Sequence, residues 1–126
     1  MKKVLIQGRF SNESHIDSIK YLLEDDFKDS NLELDFVFCL RQAKFPITDY
    51  NLIISHPHVF DNCCVPLIEE ANKKGISIVF IYNGKFPNGE RIRAIAENLQ
   101  IPLSSKSMSQ REMYEDLIRK ILYKKE

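Results

Sequence analysis

The sequence predicts a three-layer α/β sandwich built on a five-stranded parallel sheet. Nearly unbroken apolar runs alternate with segments of helical period, and short turn signals separate them. One run, Leu52-Ile53-Ile54, breaks abruptly into Ser55-His56-Pro57-His58, as a buried parallel strand does on reaching the carboxyl edge of its sheet. Open α/β folds place their ligands and chemistry at that edge.

The elements follow in order. Val4-Leu5-Ile6 is the first strand and ends at Gln7-Gly8. Ser14 is a candidate N-cap three residues before Asp17, and Ile16, Ile19, Leu22, Leu23 and Phe27 then mark one helical stripe. Leu34–Leu40 is expected as a strand, with Cys39 buried in it as a small hydrophobe. The second helix is expected to be short or missing, because residues 41–49 contain Pro46 and have room for one turn at most. A strand follows over Tyr50–Ser55. Val65, Leu67, Ile68 and Ala71 form a helix that stops at Gly75 after Lys73-Lys74, a common C-terminal signal. Ile76–Ile81 is a strand, Glu90–Leu99 a helix, and Ile101-Pro102-Leu103 a short edge strand. Ser109-Gln-Arg-Glu112 has the form of a capping box before a last helix with Met113, Leu117, Ile118 and Ile121 on one stripe.

The 126 residues suffice for a single domain spanning 1–126, 44% apolar and 29% charged. Lysine plus arginine equals aspartate plus glutamate at 18 each, so no basic excess points to nucleic acid. The basic tail, Arg119-Lys120 and Lys124-Lys125, complements a helix C-terminus. No run is long enough to span a membrane, and three cysteines without an export signal imply the reducing cytoplasm. Cys63-Cys64 lacks the spacing of a metal or redox motif.

The chain resembles a response-regulator receiver domain, the flavodoxin-like (CheY-like) phospho-acceptor module of bacterial two-component signalling. The resemblance rests on Lys3-Val4-Leu5-Ile6-Gln7, Tyr50-Asn51-Leu52-Ile53-Ile54-Ser55-His56 and Lys106-Ser107-Met108-Ser109 with the helix after it. It places the magnesium-binding acid pair on Gly8-Arg9, the phospho-acceptor aspartate on His56, the switch threonine or serine on Tyr82 and the phosphate-contacting lysine on Lys106. Magnesium needs carboxylate oxygens, and Arg9 would repel it. Without metal, little neutralises the charge on a transferred phosphoryl group. The resemblance thus implies a pseudo-receiver, a regulatory signalling module that acts by protein–protein interaction without a cofactor.

Its expected anion or partner site comprises Gly8, Arg9, His56, His58, Tyr82 and Lys106. For His56 four roles stay open: a strand-end cap, part of an anion pocket, a phosphohistidine, or with His58 a metal site for which no third ligand is evident. The implied interaction face also includes the Ile92–Leu99 helix and Tyr114 and Tyr123 of the last helix; a homodimer is one candidate assembly.

A second resemblance is to nucleoside deoxyribosyltransferases and TIR-type domains, through Val4-Leu5-Ile6-Gln7-Gly8-Arg9-Phe10-Ser11 and Asp49–Ile54. It implies a small nucleoside- or nucleotide-handling enzyme with Glu69 or Glu70 as the catalytic carboxylate. The same residues beside Lys73 and Lys74 also read as an exposed i,i+4 charge face.

Overall fold

In the computed structural model every strand runs parallel to its neighbours, as continuous apolar runs separated by crossovers require. The structure describes residues 2–8, 13–55, 65–82, 89–105 and 110–123. The strands are β1 (Lys2–Gln7), β2 (Leu32–Val37), β3 (Leu52–Ser55), β4 (Ser77–Tyr82) and β5 (Leu103–Ser105), in the order β2-β1-β3-β4-β5. The helices are α1 (Glu13–Asp26), α2 (Val65–Lys73), α3 (Gly89–Leu99) and α4 (Gln110–Leu122). That strand order is the flavodoxin-like one, with its switch point between β1 and β3.

Alternation along the strands divides the core into two layers. Val4, Ile6, Leu52, Ile54, Val79 and Ile81 face α1 and α4, where Ile19, Leu23, Met113, Tyr114 and Ile118 meet them. Leu5, Ile53, Ile78 and Phe80 face Ile68 and Ala71 of α2 and Ala96 of α3. Val4, Leu5, Ile6, Leu52, Ile53 and Ile54 have no exposed surface, and burying each such side chain contributes about 1.5–3 kcal/mol. Where α1 ends, the Arg111 guanidinium grips Asp26 with two bonds of 2.8 and 3.2 Å. Arg119 pairs with Glu115 and lies over the Phe27 ring, and Lys120 pairs with Asp116.

The crossover from β2 to β3 holds two 3-10 turns, Leu40–Gln42 and Ile47–Asp49, in place of an α-helix. Strand β2 explains how the sheet tolerates this. Its residues on the α2/α3 side include Glu33 and Asp35, which need polar cover rather than a helix's apolar stripe. Tyr50 supplies that cover for Asp35: its hydroxyl donates to Asp35 Oδ2 at 2.6 Å and accepts from the Phe45 N–H at 3.2 Å. The Lys44 N–H also donates to Asp35 Oδ2, at 2.9 Å, and Lys3 Nζ lies 4.8 Å from the Phe45 ring centre. Burial and the bond to Asp35 push the Tyr50 phenol above the usual tyrosine range.

Several boundaries differ from the sequence-based expectation. Strand β2 stops at Val37, because Gln42 Oε1 accepts from the N–H groups of both Phe38 and Cys39 and turns the chain into the first 3-10 turn. Cys39 is therefore half-buried in a turn and not in a strand. Ser14 lies inside α1, which begins at Glu13. Strand β5 begins at Leu103 rather than Ile101, since Pro102 has no N–H to extend the ladder. The proposed cap Ser109 lies outside the described residues.

Candidate functional site

The carboxyl ends of β1 and β3 lie side by side at the switch point, with Gln7 in register with Ser55. Both polar side chains are fully buried, so each requires a partner. Ser55 Oγ donates to Gln7 Oε1 at 2.5 Å, and Gln7 Nε2 donates to the Phe38 carbonyl at 3.4 Å. The pair is neutral and ties the ends of β1, β2 and β3 together. Gly8 follows, also buried, its N–H bonded to the Val37 carbonyl at 3.3 Å.

The strands end at this edge with Gln7, Val37, Ser55, Tyr82 and Ser105, none of them acidic. Phe38, immediately after β2, is 41% exposed, and its backbone carbonyl accepts from the Gln7 amide. The described strand ends thus hold a buried amide–hydroxyl pair beside the exposed Phe38 and include no carboxylate for a hard cation. Among the described residues, no group of three or more histidine, cysteine or acidic side chains is placed to hold a metal ion.

Of the expected site residues, Gly8 lies at the switch point and Tyr82 closes β4 at the same edge. Arg9, His56, His58 and Lys106 lie outside the described residues. In the sequence Arg9 comes two residues after the end of β1, and His56 and Lys106 directly after the ends of β3 and β5. Glu69 and Glu70 are exposed on α2, on the solvent side of the buried Ile68 and Ala71. Tyr114, expected on an interaction face, is fully buried and meets Phe36 edge-on at 6.4 Å. It lies on the core stripe four residues before Ile118 and cannot anchor a partner. Tyr123 is half-buried, stacked on Phe27 at 5.9 Å.

Sequence reasoning missed three residues here: Gln7 and Phe38 as members of the site, and Ser55 as Gln7's partner. The signal was present in Gln7 and Ser55, each a polar residue ending an otherwise apolar strand. Phe38 was hidden within an apolar run that reads as continuous strand through Leu40.

No protein-family model matches the chain, and no curated protein matches its sequence. The solved structure of a cysteine-to-serine mutant of flavodoxin from Pseudomonas aeruginosa is similar over 93% of both chains, at 12% identity and a TM-score of 0.44. The strand order, not that likeness, defines the fold here. No described helix is long and apolar enough to cross a membrane.

Proposed function

We propose that this chain is a receiver-like regulatory module that works by binding a protein partner and does not accept a phosphoryl group on a carboxylate. The observation that carries the reading is the buried neutral Gln7–Ser55 pair at the switch point. In the receiver domains that the sequence resembles, this edge holds acids that bind magnesium. Here an amide and a hydroxyl satisfy each other, and Gly8-Arg9-Phe10-Ser11-Asn12, which follow β1, contain no acid. Phosphoryl transfer depends on metal to offset developing charge, and among the described residues of this edge nothing supports that chemistry.

The partner is a protein that covers the carboxyl edge, with Phe38 as its aromatic anchor, since exposed aromatics are favoured at interface centres. A second copy of this chain is the first partner to test, by sedimentation of the wild type against Phe38→Ser. Incubation with magnesium and acetyl phosphate should leave the intact mass unchanged; a phosphoryl adduct on an aspartate would refute the reading. A photo-cross-linking residue at position 38 should give a discrete protein adduct in cells, while the same residue at exposed Lys28 should not. Equal labelling from both positions would remove Phe38 as the anchor.

A further inference from the structure

At the opposite, amino edge of the sheet a groove of about 380 Å³ runs beside β4. Its floor is apolar, formed by Ile78, Val79, Ile101 and Ile121, and Asn72, Ser77 and Gln100 supply polar groups; among the described residues no charged side chain lines it. Small-molecule sites have this composition, and their volumes start near 300 Å³.

The groove exists because β5 starts late. The Phe80 N–H donates to the Pro102 carbonyl at 3.0 Å, so the backbone of Phe80 faces β5. Two residues earlier, Ile78 faces the same side. Continued pairing would require the N–H of residue 102 for the Ile78 carbonyl, and proline has none. It would also require the Gln100 carbonyl for the Ile78 N–H, but Gln100 ends α3 in the left-handed conformation at φ 57°, and no backbone bond joins it to Ile78. Among the described residues the Ile78 N–H and C=O thus meet no strand partner on this side, and they stand side by side on the wall of an apolar slot. Asn72 Nδ2 donates to the Leu99 carbonyl at 3.2 Å and fixes its amide between the ends of α2 and α3.

We infer that this groove binds a small neutral ligand whose donor and acceptor share one edge, as in a lactam or cyclic imide, paired to the backbone N–H and C=O of Ile78. The described lining explains the preference: it holds no counter-charge for an ion that would lose its hydration, whereas a cyclic amide satisfies both backbone groups and buries its ring on the isoleucines. The ligand site is separate from the partner edge proposed above, at the other end of the strands.

Titration of the isotope-labelled full chain with δ-valerolactam tests this by amide NMR shifts. Saturable shifts are expected at Ile78, with smaller ones at Gly75, Gln100 and Ile101. N-methylated valerolactam, which has no donor, should bind about three- to tenfold more weakly, the value of one hydrogen bond. Gln100→Gly keeps the left-handed turn and removes one wall, so it should fold and bind valerolactam more weakly. Before any ligand is added, the Ile78 amide should exchange with solvent faster than that of Phe80. No saturable shift at Ile78, equal affinity for the two lactams, shifts centred on the carboxyl edge, or equal protection of the two amides would overturn the inference.

Discussion

At the scale of single residues, Tyr50 carries the most structural consequence. Its hydroxyl satisfies Asp35 and the Phe45 amide at once, in a site where the ring itself is buried. Tyr50→Phe should lower stability by about 1–3 kcal/mol, the cost of leaving buried polar groups without a partner, as measured by urea unfolding. The raised phenol adds a pH signature. Below the ordinary tyrosine range the group is neutral in both states and its contribution is complete. Above about pH 10 the unfolded chain ionises first while the folded one does not, so stability falls at up to about 1.4 kcal/mol per pH unit. Tyr50→Phe should flatten that alkaline decline, and equal slopes for the two proteins would contradict the assignment. Gln100 offers the converse case, a side chain held in a conformation that favours glycine. Gln100→Gly should raise stability by up to about 1 kcal/mol, with released strain outweighing the added freedom of the unfolded chain.

At the scale of elements, two helix ends obey the same rule with different residues. Ala71-Asn-Lys-Lys-Gly75-Ile76 and Ala96-Glu-Asn-Leu-Gln100-Ile101 both close with the isoleucine N–H bonded to the alanine carbonyl, at 3.1 and 2.8 Å. The first stop was legible because glycine announces it, and the second was legible only as the end of a helical stripe. The missing helix was legible too, through Pro46 and the shortness of residues 41–49. Its replacement was not, since nothing local in the sequence brings Asp35 to Tyr50. That segment is held by side chains rather than by a ladder of backbone bonds, so it should open without global unfolding. Asp35→Ala should therefore increase tryptic cleavage after the exposed Lys44 severalfold while most of the protein remains folded. Unchanged cleavage would show that the 3-10 turns hold themselves. The start of β5 was misplaced because its apolar residues begin before the proline that prevents pairing, and Tyr114 because a tyrosine late in a chain reads as surface until its place on the core stripe is counted.

At the scale of the whole molecule, the sequence pattern specified layers, strand polarity and the residues near the carboxyl edge, because apolar periodicity encodes all three. It did not specify the wiring at that edge. The Gln7–Ser55 bond joins residues 48 apart, and such a pairing arises only from strand register. The described strand ends at that edge include no acid, and a pseudo-receiver should ignore the receiver activator. Magnesium with beryllofluoride should leave the thermal midpoint unmoved, whereas saturation at a hundred times the dissociation constant would add about 2.7 kcal/mol of stability and show plainly. A clear rise in the midpoint would restore a working phosphoryl site and end the pseudo-receiver reading.

Strand β2 ends the sheet on one side, and Glu33 and Asp35 share one of its faces. If two molecules met edge to edge in antiparallel fashion about residue 34, each Glu33 would lie opposite the other chain's Asp35. Like charges in that position oppose pairing, so the acids that made a helix unnecessary also discourage runaway sheet growth into fibrils. The protection is electrostatic and shrinks as salt shortens the reach of charge. Long-term storage of this protein is accordingly better served by dilute buffers than by concentrated salt.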